Sequence, residues 1–173
     1  MQVLIMRHGD AVPDAASDAV RPLSLRGEDE SRLMAAWLHS QSIAIDKVLV
    51  SPYVRAQQTL QVVAEQLSLP QSECLSELTP GGDAGQVRDY LYALAQQGVQ
   101  GVLLISHLPL VGYLVAELCP AQTPPMFATS AVASIQVNDQ SGMGEYCWQI
   151  GPTQLAAKQL AAKQLAAKQQ AAK

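Results

Sequence analysis

The triplet Arg7-His8-Gly9 combines two side chains that can handle phosphate, and it directly follows an apolar run at residues 3–6. Imidazole is one of the few side chains that can act as a nucleophile near neutral pH without first losing a proton. A guanidinium presents its N–H donors in a planar fork that matches the oxygens of a phosphate group. The triplet therefore indicates a phosphate acceptor, His8, beside a phosphate ligand, Arg7.

Two further groups of the same kind follow other apolar runs. Arg55 comes shortly after the run at residues 48–50, and His107 comes shortly after the run at residues 102–105. The carboxyl ends of parallel strands meet at one edge of a sheet, which is where open α/β proteins bind their ligands. We therefore expect both groups to converge with the triplet at that edge and to complete a phosphate site.

Alternating strands and helices would position these residues. Apolar runs predict strands at residues 2–7, 48–50 and 102–105, an edge strand near residues 74–75, and a closing hairpin of residues 131–137 and 146–150. Helices are expected at about residues 24–40, 52–67, 83–97 and 109–118, the second beginning at Pro52 because proline suits the first helical position. The expected fold class is α/β, with three layers in which helices cover both faces of a mostly parallel central sheet.

The carboxyl-terminal part of the chain differs in composition from the rest. The 173 residues are 49% hydrophobic, which suffices for one globular core. From Gln154 onward the chain repeats Gln-Leu-Ala-Ala-Lys, a run of strong helix formers. We expect one domain at residues 1–152 and a low-complexity tail at residues 153–173 that forms a solvated helix or a fluctuating coil.

Charge, hydropathy and cysteine usage exclude several classes of function. Before Pro152 the chain has seven basic and fifteen acidic residues, a net charge of −8, whereas the tail carries four lysines. An acidic body argues against nucleic-acid binding, and the longest apolar run is far too short for a membrane span. The three cysteines are odd in number, widely spaced and without metal-ligand spacing. They indicate reduced thiols, a cytoplasmic location and no bound metal.

Three motifs together resemble the histidine phosphatase superfamily, the phosphoglycerate-mutase-like group. They are Arg7-His8-Gly9, Ser51-Pro52-x-x-Arg55-Ala56-x-Gln58-Thr59 and Ser106-His107. Within that superfamily the chain is most similar to the SixA-type phosphohistidine phosphatases, through its short core and the motifs Leu23-Ser24-x-x-Gly27, Glu77-Leu78-Thr79-Pro80 and Ser106-His107-Leu108-Pro109. The resemblance covers essentially residues 1–150 and leaves out the tail. It implies a phosphoglycerate-mutase-like fold without a lid domain.

The resemblance also implies a metal-independent phosphatase that needs no cofactor. His8 would attack phosphorus and become transiently phosphorylated, and water would then hydrolyse the phosphohistidine. Arg7, Arg55 and His107 would hold the non-bridging phosphate oxygens, by positioning and charge stabilisation. Arg21 would either add a further cation to the site or form a plain salt bridge. One ring nitrogen of His8 must be unprotonated, so the other should donate to a fixed acceptor such as a backbone carbonyl.

The proton donor for the leaving group has two candidates. Glu77 stands in a Leu-x-Glu context that is similar to the acid of superfamily members, and Asp18 lies in the loop after His8, close to Arg21. The alternative is that Glu77 is a surface residue and that Asp18 only pairs with Arg21. Imidazole is a better leaving group than an alkoxide because its conjugate acid has a pKa of about 6.5. A phosphohistidine substrate would therefore ask less of an enzymic acid.

Chain length bears on the substrate. Only about 20 residues separate Arg55 from Glu77, too few for a lid domain by ordinary element lengths. An open groove suits a phosphorylated side chain on another protein better than a small sugar phosphate, which enzymes tend to enclose. We expect a monomeric protein phosphohistidine phosphatase that acts on a histidine phosphotransfer (HPt) domain of a phosphorelay sensor kinase. The alternatives are a small-molecule phosphomonoesterase or mutase on the same fold and, more distantly, a non-catalytic phosphate-binding interaction protein.

Overall fold

Residues 1–171, which the computed structural model describes, form a six-stranded sheet with helices on both faces. The strands are β1 (Gln2–Arg7), β2 (Lys47–Val50), β3 (Ser72–Cys74), β4 (Gly101–Ser106), β5 (Val132–Val137) and β6 (Gly144–Ile150). The helices are α1 (Leu25–Ser40), α2 (Val54–Ala64), α3 (Ala84–Gln96), α4 (Leu110–Leu118) and α5 (Pro152–Ala171), with short 3₁₀ turns at Asp18–Val20 and Ser76–Leu78. The predicted order of strands and helices is confirmed.

Four parallel strands and an antiparallel hairpin make up the sheet, in the order β3-β2-β4-β1-β5-β6. Strands β3, β2, β4 and β1 run parallel, and β5 and β6 complete the sheet as antiparallel neighbours. The register pairs Arg7 with Ser106 at the ends of β1 and β4, and it pairs Val50 of β2 with Ile105. The residues that follow these three strands therefore meet at one edge of the sheet, here called the carboxyl edge.

Helices cover both faces of the sheet, which confirms the expected three-layer α/β architecture. One face packs against α3 and α4 through residues that include Ile5 and Leu104. The other face packs against α1, α2 and the start of α5 through residues that include Leu4 and Ile105. Successive side chains of a strand point to opposite faces, so each central strand supplies both layers. Within the described chain, residues 65–71 join α2 directly to β3 without a lid domain.

Two helix starts show how local hydrogen bonds set the approach to the carboxyl edge. Ser24 caps α1 as expected, its hydroxyl accepting a bond of 3.0 Å from the backbone N–H of Gly27. The prediction that α2 begins at Pro52 is wrong, since the helix begins at Val54. The hydroxyl of Ser51 accepts from the N–H of Tyr53, which keeps extended backbone angles. The helix starts two residues later than expected for this reason, and Arg55 becomes its second residue.

The first Gln-Leu-Ala-Ala-Lys repeat is partly built into the core. Leu155 is only 3% exposed and packs in the same cluster as Leu38, whereas Leu160 and Leu165 are 58% and 60% exposed. A five-residue step advances about 500° around a helix, so the leucines spiral and only the first faces the domain. We therefore propose that the folded domain ends one turn beyond residue 152. None of the helices in residues 1–171 is long and apolar enough to cross a membrane.

The contrast between Leu155 and Leu160 yields a matched test of this boundary. We expect Leu155→Ala to lower the free energy of unfolding by about 2–5 kcal/mol, because it removes a buried side chain and leaves a cavity. Leu160→Ala, in the same repeat context, should change it by less than about 0.5 kcal/mol. Urea denaturation monitored by tryptophan fluorescence measures both. Equal effects of the two substitutions would contradict the proposed boundary.

Candidate active site

The carboxyl edge of the sheet brings three of the expected residues into one buried cluster. His8, Arg55 and His107 are 7%, 4% and 1% exposed. The Nε of Arg55 donates a hydrogen bond of 3.2 Å to Nε2 of His8, and the centroids of the two imidazole rings lie 4.9 Å apart. The fourth residue, Arg7, is close enough for its charge to lower the pKa of His8. The convergence expected from the strand ends is therefore present.

The His8 ring is held in one tautomer. Its Nδ1 lies 2.6 Å from the carbonyl oxygen of Gly9, which can only accept, so Nδ1 carries the proton. Its Nε2 accepts from Arg55 and therefore keeps its lone pair. Burial lowers the pKa of His8 to about 4, the bond to Gly9 opposes this shift, and the nearby arginines add to it. The expected backbone acceptor for His8 is confirmed, and the imidazole is neutral at physiological pH.

The backbone around His8 is fixed from three sides. The N–H of His8 donates to the carbonyl of Ser106 at 2.9 Å, and its carbonyl accepts from the N–H of Ser130 at 3.1 Å. The N–H of Gly9 donates to Oγ1 of Thr59 at 3.0 Å. The same Thr59 hydroxyl donates to the carbonyl of Arg55 at 2.7 Å, which links the α2 backbone to the triplet. Strands β1 and β4, helix α2 and the segment before β5 thus set the position of His8 together.

Arg55 is anchored by Asp18, in the loop after β1, and by Tyr53, the N-cap of its own helix α2. Its Nη1 donates to the backbone carbonyl of Asp18 at 2.6 Å, and its Nη2 donates to the Asp18 carboxylate at 3.1 Å. The guanidinium carbon lies 5.0 Å from the centroid of the Tyr53 ring, within the range of a cation–π contact. Tyr53 also packs edge-on against His107, with 5.0 Å between the ring centroids. The sequence does not predict this contact, because Tyr53 occupies a variable position of the Ser51-Pro52 motif.

Two buried nitrogen atoms in this cluster have no hydrogen-bond partner among the described residues, and both belong to expected phosphate ligands. They are Nε of Arg7 and Nδ1 of His107. Each of the two side chains has one hydrogen-bond contact through another nitrogen. Nη1 of Arg7 donates to the carbonyl of Phe127 at 2.7 Å. Nε2 of His107 lies 2.7 Å from the Ser51 hydroxyl. Buried nitrogens are normally paired. An anion bound in the cluster would accept from Nε of Arg7 and, when the Ser51 hydroxyl donates to Nε2 of His107 and leaves the proton on Nδ1, from His107 as well.

Electrostatics in the cluster favour an anion over a further cation. Burial lowers the pKa of Arg7, and the charge of Arg55 lowers it further. Burial also lowers the pKa of His107 to about 3, with His8 and Arg55 adding to the shift. Two guanidinium groups thus share a poorly solvated volume with two neutral imidazoles. A tetrahedral anion there would offset the repulsion between the arginines and accept hydrogen bonds from both guanidinium groups.

The candidate acids occupy different places. Asp18 is half exposed, and its carboxylate bridges Arg55 at 3.1 Å and Arg21 at 3.0 Å. Partial burial alone would raise the pKa of Asp18, but the hydrogen bonds from Arg21 and Arg55 outweigh it and lower that pKa. Arg21 forms a salt bridge with Asp18, and its charge also helps to lower the pKa of His8.

Glu77, the other candidate acid, has an exposed carboxylate. It accepts a hydrogen bond from the neighbouring Ser76 hydroxyl, its one hydrogen bond within the described residues.

Comparison with known proteins identifies the family that the sequence motifs resemble. Residues 3–98 match the model of the histidine phosphatase superfamily (branch 1). The chain is 63% identical over 156 residues to phosphohistidine phosphatase SixA of Escherichia coli K12, covering 90% of this chain and 96% of that protein. It is 41% identical over 143 residues to a SixA homolog of Haemophilus influenzae, covering 78% of this chain and 87% of that protein.

A solved structure agrees with this result. The structure of the protein histidine phosphatase SixA complexed with tungstate matches with a TM-score of 0.88 and 62% identity, over 90% of this chain and 99% of that chain. The fold, the motifs at the strand ends and the relatives agree, and they confirm the resemblance drawn from the sequence. The chain belongs to branch 1 of the histidine phosphatase superfamily.

Proposed function

We propose that this protein is a phosphohistidine phosphatase that hydrolyses phosphohistidine on another protein through a phospho-His8 intermediate. The observation that carries the proposal is the neutral His8 ring, whose Nδ1 is bonded to Gly9 and whose Nε2 lone pair is held beside Arg55. The high identity to a phosphohistidine phosphatase supports the substrate class. The related complex with tungstate, a tetrahedral oxyanion, supports an oxyanion site in this fold.

In the first step, the lone pair on Nε2 of His8 forms a bond to phosphorus. The P–N bond of the substrate breaks, and its electron pair stays on the leaving ring nitrogen. Arg7, Arg55 and His107 hold the non-bridging oxygens, and the phosphoryl oxygens take over the Arg55 donor that faces His8 in the free enzyme. Positioned donors of this kind supply most of the catalysis in phosphoryl transfer.

In the second step, water attacks the phosphorus of phospho-His8. The bond to Nε2 breaks, its electron pair returns to the ring, and inorganic phosphate leaves. The hydrogen bond from Nδ1 to the Gly9 carbonyl persists through both steps. It stabilises the positive charge that the ring carries while Nε2 is phosphorylated, which makes the intermediate accessible without a metal ion or cofactor.

We assign Asp18 the role of an ionised carboxylate that faces the leaving imidazole. Its lowered pKa makes it a poor proton donor near neutral pH. A phosphohistidine ring that is protonated on its second nitrogen leaves as neutral imidazole and needs no further proton. The half-exposed Asp18 carboxylate, next to Arg55, can accept a hydrogen bond from that N–H and favour the protonated leaving group. Glu77, which is bonded to Ser76, is then dispensable for this substrate.

The proposed partner is an HPt domain of a phosphorelay sensor kinase. Its phosphohistidine projects from a protein surface, so the enzyme must expose its site to a large partner. The direct connection of α2 to β3 leaves the carboxyl edge without a lid domain in the described chain, which suits such a partner. Small phosphate esters are more often enclosed during catalysis. We propose that the protein acts in this way as a monomer in the cytoplasm.

Removal of the nucleophile should abolish phosphate transfer. Incubation with ³²P-labelled HPt domain should place acid-labile, base-stable label on the protein and release labelled phosphate. His8→Ala should not become labelled, because the covalent route is lost. Its rate of phosphate release should be at least about 10³-fold lower than that of the wild type. His39→Ala, which changes an exposed histidine of α1, is the control and should retain the rate. Faster hydrolysis of sugar phosphates than of phospho-HPt would contradict the proposed substrate.

The His8 ring should remain neutral well below physiological pH. Nitrogen NMR should show the Nδ1–H tautomer from pH 8 to pH 5 and titration near pH 4, the value to which burial lowers the pKa. An unfolded histidine binds its proton near pH 6.5. The unfolded chain therefore takes up more protons than the folded one between these values, and stability should fall as the pH drops from about 6.5 to 4. Titration of folded His8 near pH 6.5 would contradict this account.

Loss of the Asp18 charge should change substrate preference. Asp18→Asn keeps an oxygen for Arg55 but weakens the bond to the leaving imidazole. We expect kcat/KM for a phosphohistidine peptide to fall roughly tenfold, the value of one charge-assisted hydrogen bond. The value for p-nitrophenyl phosphate, whose leaving group has no N–H, should not fall. Glu77→Gln is the control and should leave both values unchanged, and an equal loss on both substrates in Asp18→Asn would contradict the assignment.

A further inference from the structure

Two buried serines lie next to the backbone of His8 and Gly9 and take no part in the steps described above. Ser31 belongs to α1, and Ser130 lies two residues before β5. Both are 0% exposed, and their hydroxyl oxygens are 3.0 Å apart. A hydroxyl that is fully removed from water requires a partner, and here each serine is the partner of the other. The pair therefore couples α1 to the segment that precedes β5.

The backbone of Ser130 has an unusual conformation. Its φ of 59° lies in the left-handed region, which residues with a side chain adopt infrequently. In this conformation its N–H donates to the carbonyl of His8 at 3.1 Å. A backbone outlier persists only where its surroundings hold it, and such outliers cluster at active sites. The bond to the Ser31 hydroxyl is the side-chain contact that holds Ser130 in place.

Ser31 also lies beside Gly9, the second residue whose backbone orients His8. A Cβ added at Gly9 would come within 2.7 Å of the Ser31 hydroxyl oxygen, so that hydroxyl occupies the space beside the Gly9 Cα. The Gly9 carbonyl is the acceptor that fixes the proton on Nδ1 of His8. The serine pair therefore supports His8 through its own carbonyl, by way of Ser130, and through Gly9, by way of Ser31.

We propose that Ser31 and Ser130 are positioning residues that aim Nε2 of His8 at phosphorus, an inference that rests on the proposed role of His8 as nucleophile. They touch neither substrate nor the reacting atoms and act through the backbone of His8 and Gly9. Displacement of a reacting atom by about 1 Å can cost about 10²-fold in rate. Loss of the pair loosens the imidazole and lowers kcat, while the phosphate ligands keep their own anchors and preserve binding.

Three variants and one control test this proposal. Ser31→Ala removes one hydroxyl, and Ser130→Gly removes the other while tolerating the left-handed backbone. The double variant removes both. Ser134→Ala is the control, because Ser134 is a buried serine of β5 whose hydroxyl accepts from the Gln2 side chain, away from His8. Thermal denaturation first establishes that each variant is folded at the assay temperature.

We expect each single variant to lower kcat for a phosphohistidine peptide about tenfold, with KM and the Kd of inorganic phosphate changed less than twofold. The double variant should be no worse than the single variants, since either substitution already breaks the pair. Ser134→Ala should retain kcat. Nitrogen NMR should show a second His8 tautomer in the serine variants only.

Wild-type kcat and a single His8 tautomer in folded Ser31→Ala and Ser130→Gly would overturn the proposal. An equal loss of kcat in Ser134→Ala would overturn it as well, because it would show a general effect of buried serine substitution. The tautomer measurement does not depend on turnover. A failure of the phosphatase activity itself can therefore be told apart from a failure of the positioning role.

Discussion

The hydrogen bond from Nδ1 of His8 to the carbonyl of Gly9, 2.6 Å long, is the interaction on which the site depends. It directs the lone pair to Nε2 and gives the ring a fixed orientation. It forms at a point where the chain passes close to α1. A Cβ at Gly9 would lie 2.7 Å from the carbonyl oxygen of Gly27 and from the Ser31 hydroxyl, so glycine is required there.

The site places concentrated positive charge in an acidic domain. Arg55 is almost fully buried, and this is tolerated because backbone and carboxylate oxygens of Asp18 receive two of its donors. Arg7 has a backbone carbonyl partner, but its buried Nε and the buried Nδ1 of His107 have no partner among residues 1–171. The protein thus satisfies these groups only partly in the free state. The remaining hydrogen-bonding capacity is available to a bound anion.

Much of the fold and the expected cluster could be predicted because the signals are local. Apolar runs a few residues long revealed β1, β2 and β4, and the parallel arrangement then placed the residues after them at one edge. Contacts between distant segments could not be predicted in this way. The Ser51 hydroxyl lies beside His107, Arg7 is anchored by the Phe127 carbonyl, and the Ser130 N–H holds His8. These pairings have no local signature, since any hydroxyl or backbone group could serve.

The sequence by itself determined which groups carry the proposed chemistry: the imidazole of His8, the arginines and the strand ends that position them. Residue type and hydrophobic period contain that information directly. Only the tertiary structure decided the protonation state of His8, the ionisation of Asp18 beside two arginines and the burial of Leu155 in an otherwise exposed repeat. These properties depend on desolvation and on distances between groups far apart in the chain. Packing sets both, and no single segment encodes them.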